Sequence, residues 1–235
     1  ELIIPGGGFC VTNDVFPWLK GNIKYQLKKV VIPSTLPSKD DEKFEEFIRA
    51  AVRKGCREFV VSVSNQCYRM DGANIMTRDG RRIIYLNPLK EDCRISEGVE
   101  KIDAYWPDFK TIYLPSTFRY SCERFPSGAS ISVSDRNDNF MVKDGKMLMS
   151  RDGKRIEQYT GRDKVFAVDE GVEEISPDAY ANIKRNVGIV VMPRSLRKLC
   201  KSFHFGLNIV SDHIGNLQAI CFKGSAPEAN YDIFW

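Results

Sequence analysis

Histidine is almost absent: the 235 residues contain two, His204 and His213. Histidine is the commonest metal ligand and the usual acid–base group near neutral pH, so its scarcity closes most routes to a metal centre or a hydrolytic triad. Seven cysteines are present, Cys10, Cys56, Cys67, Cys93, Cys122, Cys200 and Cys221, and no two are spaced Cys-x-x-Cys, as structural zinc sites usually require. Seven is odd, which argues against a fully paired disulfide framework. The expectation is mostly packed thiols, because free cysteine is among the most buried residue types. No apolar run reaches the roughly 18 residues of a membrane-spanning helix. Neither sign of charge dominates: 35 basic residues face 31 acidic ones, a net +4 spread along the chain. The concentrated basic face of a nucleic-acid binder is therefore missing. The chain begins at Glu1, without an initiator Met or a signal-like apolar segment, which fits a trimmed chain whose export signal has been removed.

What is present is a repeat. The stretches VIPSTL (31–36), YLPSTF (113–118) and VMPRSL (191–196) align on Pro33, Pro115 and Pro193. Around each proline the apolar frame is LxxVxIPxxL, with Val30, Ile112 and Val190 at one place and Ile32, Leu114 and Met192 at the next but one. Leu27, Phe109 and Val187 precede them, and Leu36, Phe118 and Leu196 follow. Alternation before proline is strand period, and proline then stops the strand because it has no N–H to give to a ladder.

A longer unit recurs as well. NIMTRDGRRI at 74–83 returns as MLMSRDGKRI at 147–156, and EGVEKI at 97–102 returns as EGVEEI at 170–175, both displaced by 73 positions. Part of the frame reappears at 2–16 and again at 217–222. Apolar periodicity at this scale predicts a solenoid, in which each coil buries its face only by stacking on its neighbours. A charge at Ile112 is then expected to unfold the stack, and one at Thr111 to be tolerated.

Val30-Val31-Ile32-Pro33, Ser150-Arg151-Asp152-Gly153-Lys154, Glu170 to Ile175 with Asp178-Ala179-Tyr180, and Leu217 to Phe222 with Ala226-Pro227 resemble the BspA-like leucine-rich repeats of secreted and surface proteins of anaerobic bacteria. The resemblance covers nearly the whole chain. It implies a right-handed leucine-rich-repeat solenoid of mixed α/β class with a concave β-sheet. It carries no catalytic residue across, since the family's shared positions are structural.

One domain, 1–235, is expected. Within it, DDEKFEEFIRAAVRKG predicts a helix over 40–54: Phe44, Phe47, Ile48, Ala51 and Val52 fall at helical spacing, Ser38 and Asp41 fit a cap, and Gly55 fits the stop. The segments 68–86 and 140–159 read as β-hairpins projecting from the solenoid edge, with turns at Asp79-Gly80 and Asp152-Gly153 and further bends at Asp71-Gly72 and Asp144-Gly145.

Sharper readings lose to blander ones. Cys200 and His204 could form a nucleophile pair, but Cys200 aligns with Cys122, and a repeated position is a structural one. Gly6-Gly7-Gly8 lacks the Lys and Ser/Thr of a phosphate loop. Arg-Asp-Gly at 78–80 and 151–153 is explained by the turn. Asp135-Arg136-Asn137-Asp138 lacks the calcium-loop pattern and reads as a solvated loop. No enzyme, cofactor or metal is expected.

The surface left for function is the concave sheet. Residues two and four before each proline point away from the buried set, which nominates Lys29, Val31, Thr111, Tyr113, Ile189 and Val191. Such a partly apolar row suits binding. The expectation is a non-enzymatic binding module, secreted or on a bacterial surface, for an extracellular or host protein. The alternatives are a structural spacer, and a carbohydrate-binding module using Trp18, Tyr68, Tyr85, Trp106 or Trp235, of which Trp106 sits at a core place of the frame. No nucleic-acid partner and no membrane span are expected.

Overall fold

The computed structural model describes residues 2–3, 28–35, 42–53, 55–199 and 216–225. Cys10, Gly6 to Gly8, Trp18, the Ser38/Asp41 cap, Cys200, His204, His213 and Trp235 lie outside them. The regular structure of the described residues is mostly strand, with two helices. The chain divides into two compact units. The first comprises Glu1–Lys90, Gly98–Pro107 and Tyr120–Glu123, and the second comprises Glu91–Glu97, Asp108–Arg119 and Arg124–Trp235.

In the first unit, β1 (Leu2–Ile3), β2 (Lys29–Ile32) and β3 (Glu58–Val61) form a parallel sheet, with α1 (Glu42–Arg53) between β2 and β3 in sequence. A five-stranded sheet follows in the order β10-β8-β6-β5-β4. It is built from β4 (Tyr68–Asp71), β5 (Asn74–Thr77), β6 (Arg82–Tyr85), β8 (Lys101–Ile102) and β10 (Tyr120–Ser121). The second unit holds the parallel sheet of β7 (Asp92–Arg94), β9 (Thr111–Leu114) and β11 (Ser130–Val133). A second parallel sheet joins β15 (Val165–Ala167), β17 (Ile189–Met192) and β19 (Ala219–Phe222). Its five-stranded sheet runs β12-β13-β14-β16-β18, from Phe140–Lys143, Met147–Ser150, Arg155–Tyr159, Glu174–Ile175 and Lys198–Leu199 respectively.

The three proline-ended strands are β2, β9 and β17, and each is the middle strand of its own sheet. Ile112 pairs in register with Cys93 and Ile131, Val190 with Phe166 and Ile220, and Val30 with Phe59. Stacked parallel strands in register place buried side chains over one another, as the apolar frame requires. Phe109, Ile112, Leu114, Phe118, Val187, Val190, Met192 and Leu196 are all buried, as are Val30 and Ile32.

The expected hairpins are larger than hairpins and do not project. Each is a three-stranded meander, β4-β5-β6 and β12-β13-β14, whose third strand continues as parallel sheet to β8 and to β16. The reason is burial: Ile75, Met76, Ile83 and Ile84 in one, and Met147, Leu148, Met149 and Ile156 in the other, are removed from water. A bulge falls between Ile75 and Met76 and again between Leu148 and Met149. The Arg-Asp-Gly turns are near copies. Thr77 donates to Asp79 at 2.6 Å as Ser150 does to Asp152 at 2.6 Å, and Arg81 N donates to Asp79 as Lys154 N does to Asp152, both at 3.0 Å. Gly80 and Gly153 take φ of 78° and 72°, which a side chain resists.

Helix α1 agrees with its sequence signal. Phe44, Phe47, Ile48 and Ala51 pack among Val30, Ile32, Phe59, Tyr68 and Ile75, and Gly55, at φ 92°, donates to Val52 O at 2.9 Å to end it. Helix α2 (Pro177–Asn186) was not anticipated from the repeat frame. Its signals are nevertheless local: Ser176 caps Ala179 N at 3.1 Å, Pro177 opens the first turn, and Lys184 and Arg185 close the last. The loop around Asp135 to Asp138 is not simply solvated, because Asn137 is fully buried. Among the described cysteines Cys56 and Cys93 are buried and Cys67 is half-buried, whereas Cys122 and Cys221 are exposed; all five are free thiols.

Candidate functional site

The residues nominated from the frame fall into three outward rows, one on each parallel sheet. In the first unit Lys29 pairs with Glu58 in register and by a 2.9 Å ion pair, and Val31 lies beside Val60, which is 39% exposed. In the second unit Ile189 stands between Val165 and Ala219, and Val191 between Ala167 and Cys221. Val31, Ile189 and Val191 are half-buried and not openly exposed. Neighbouring small and branched side chains shield them at the close spacing of a sheet.

Thr111 and Tyr113 come together with residues the frame did not nominate. In β7-β9-β11 the outward rows read Asp92–Thr111–Ser130 and Arg94–Tyr113–Ser132. Asp92, Arg94, Thr111, Ser130 and Ser132 are exposed, and Tyr113 is half-buried. The guanidinium of Arg94 lies over the Tyr113 ring, 4.1 Å from its centre, which at an exposed site contributes about 0.5–1 kcal/mol. Thr111 donates to Asp92 at 2.6 Å. Below the row, Lys110 pairs with Glu91 at 2.7 Å; above it, Ser116 donates to Glu97 through its hydroxyl at 2.8 Å and its N–H at 3.2 Å. The expected apolar row is therefore polar and charged on this sheet, with one aromatic held flat by an arginine. Arg94 and Asp92 were missed because β7 is three residues long and carries no proline to mark its register.

The sheet is firm beneath this face. Ile112 and Leu114 are buried, and one edge is closed by the Lys143–Lys146 turn, where Ile131 N donates to Gly145 O at 2.6 Å. Asp144 and Gly145 both take positive φ there, 53° and 66°, as a tight two-residue hairpin turn demands. Rigid support of this kind lowers the ordering cost of binding.

Of the aromatics considered for sugar stacking, the three that are described are not available for it. Tyr68 is 0% and Tyr85 2% exposed, because Tyr68 stacks on Phe44 and Tyr85 packs on Phe59. Trp106 is also buried and donates to Ser121 at 2.9 Å. Among the described residues no three His, Cys, Asp or Glu side chains converge as a metal site, and no described helix is long and apolar enough to cross a membrane.

No family model matches the chain, and no curated protein does. Three solved structures do. The pneumococcal vaccine antigen PcpA is 13% identical, with a TM-score of 0.40 over 83% of this chain and 39% of its own. A leucine-rich repeat protein from Eubacterium ventriosum is 12% identical, with a TM-score of 0.44 over 85% of this chain and 55% of its own. A leucine-rich cell surface protein from Faecalibacterium prausnitzii is 13% identical, with a TM-score of 0.43 over 85% of this chain and 49% of its own. The chain thus spans between two-fifths and just over half of the length of each.

Proposed function

We propose that this chain is a non-enzymatic recognition module of a secreted or cell-surface bacterial leucine-rich-repeat protein, and that it binds a protein ligand through the outward face of β7-β9-β11. The observation that carries the reading is the Arg94–Tyr113 stack, set between Asp92–Thr111 on one side and the small Ser130 and Ser132 on the other. Arginine and tyrosine are, with tryptophan, the residue types enriched among binding hot spots. A pre-stacked pair also gives up less rotamer freedom on association than two mobile side chains would. The repeat frame and the in-register stacking of parallel strands support the leucine-rich-repeat solenoid, and the family resemblance supports the extracellular setting.

The test is a binding screen of the folded chain against immobilised extracellular-matrix proteins, with Tyr113→Ala and Arg94→Ala in parallel. The expected result is a specific partner whose affinity falls at least tenfold in either variant, with unchanged circular dichroism. Full binding by both variants would remove this face from the reading.

A further inference from the structure

We infer that a cleft beside the first Arg-Asp-Gly turn, in the first unit and lined by none of the sheet-face residues, is a site for an anionic saccharide carrying sulfate or carboxylate groups. The cleft has a volume of about 470 Å³, within the range of small-ligand sites. Arg78, Arg81, Arg82 and Lys101 line it against Asp79 and Glu100, with Thr77 and Gln66 adding neutral polar groups.

These charges are not equivalent. Asp79 is committed to its turn, accepting from Thr77 at 2.6 Å and Arg81 N at 3.0 Å. Arg82 is committed to the interior: it bridges buried Glu45 at 2.7 Å and buried Asp103 at 3.3 Å. Lys101 reaches the same Asp103 at 2.9 Å. Two guanidiniums remain for a ligand. Arg78 is exposed and donates to one backbone carbonyl, Val63 O, at 3.2 Å. Arg81 has a side chain 68% exposed and stands 3.9 Å from Glu100. A third guanidinium, that of Arg69, lies across Gly80, 2.7 Å from where a Cβ would stand.

The second copy of the turn shows that this excess is not needed for folding. There the same backbone and the same Ser150–Asp152 bond recur, but the register puts Met141 at the place of Arg69 and Glu174 at the place of Lys101. Of its cations, Lys154 meets Glu173 at 3.0 Å and Arg155 meets Glu157 at 3.4 Å and Glu174 at 3.8 Å, while Arg151, like Arg78, donates to one backbone carbonyl, Phe140 O, at 3.4 Å. One turn of the pair is balanced and the other carries surplus positive charge around an open cleft. Planar, forked donors suit sulfate and carboxylate oxygens. The neighbouring strand supplies a sugar-stacking surface: Tyr120, paired with Lys101, is 53% exposed, with the Lys101 ammonium 5.6 Å from its ring centre. The exposed Tyr120 ring beside these cations favours a saccharide over an acidic peptide.

The probe is a heparin-derived hexasaccharide, measured by calorimetry at about 150 mM salt, with a hexaglutamate peptide as comparator. Arg78→Ser/Arg81→Ser is expected to weaken hexasaccharide binding at least tenfold. The matched pair Arg151→Ser/Lys154→Ser, which removes the same charge at the second turn, and Tyr113→Ala on the sheet are each expected to leave it within twofold. Bound saccharide should also protect Cys67, which lines the cleft, from alkylation. Equal loss in both double variants would reduce the effect to net charge and overturn the site. Absence of hexasaccharide binding, or equal affinity for hexaglutamate, would overturn the ligand class. Unchanged melting curves for the variants separate loss of binding from loss of fold.

Discussion

Asn65 and Asn137, 72 positions apart, lock their loops by the same scheme. Each is fully buried. Each accepts two backbone N–H groups on its side-chain oxygen, Asn65 from Cys67 and Tyr68 at 2.9 and 2.8 Å and Asn137 from Asn139 and Phe140 at 2.8 Å each. Each turns its amide nitrogen back to the carbonyl of a strand-ending proline, Pro33 at 2.7 Å or Pro115 at 2.9 Å. The side chain thus fastens the loop after one strand to the proline after its neighbour.

Replacement at this place should cost more than one hydrogen bond, because the partners are buried backbone groups left unpaired. Asn137→Ala is expected to lower unfolding free energy by about 3 kcal/mol. Asn137→Asp keeps the acceptor but sets a carboxylate against the carbonyls of Pro115 and Phe118, and should be worse still. Urea denaturation checks the order; an Asp variant more stable than the Ala variant would refute the donor role.

The strand frame is tested at adjacent residues. Ile112→Asp buries an unpaired charge and should cost about 4 kcal/mol or more. Thr111→Ala loses one exposed hydrogen bond to Asp92 and should cost about 0.5–1 kcal/mol. An acidic residue at 111 is a poorer control than the bare frame implies, since it would face Asp92. Equal thermal shifts for Ile112→Asp and Thr111→Ala would contradict the register.

Asp163 gives a pH-dependent prediction. Lys146, at 2.8 Å, and then the Tyr159 hydroxyl hold its carboxyl below the ordinary range. A depressed carboxyl contributes stability above its unfolded pKa, near 3.9, and loses it as pH falls through the lower folded value. Both members of the ion pair are 34% exposed, so solvent screening limits the contribution to about 1 kcal/mol. Asp163→Asn should therefore be destabilised at pH 7 and close to the parent at pH 2; a constant difference across that range would rule out the linkage.

Thiol accessibility separates the coils from their surface. Burial pushes the Cys93 thiol up to about 12, while Cys221 lies on the outward row of β19. Iodoacetamide at pH 7.5 should modify Cys221 within minutes and leave Cys93 untouched until the chain is denatured, as read by peptide mass spectrometry.

The middle strands were legible because alternation and a terminal proline coincide in them. The neighbouring strand β7 was not: Asp92–Arg94 is three residues, too short for period to show, and so Arg94 was invisible beside Tyr113. Tyr85 was misplaced at the surface because alternation fails where a strand is covered on both faces, as β6 is; Tyr68 opens β4, whose other three residues are half-buried, and is covered by Phe44 of α1. Ser176-Pro177-Asp178 does announce a helix start, but the same residues also satisfy the repeat frame, and the frame hid the cap.

The chain leaves the first compact unit at 90/91, returns at 97/98, leaves at 107/108, returns at 119/120 and departs at 123/124. A recombination event that exchanged this span would change both units at once, because each draws strands from it.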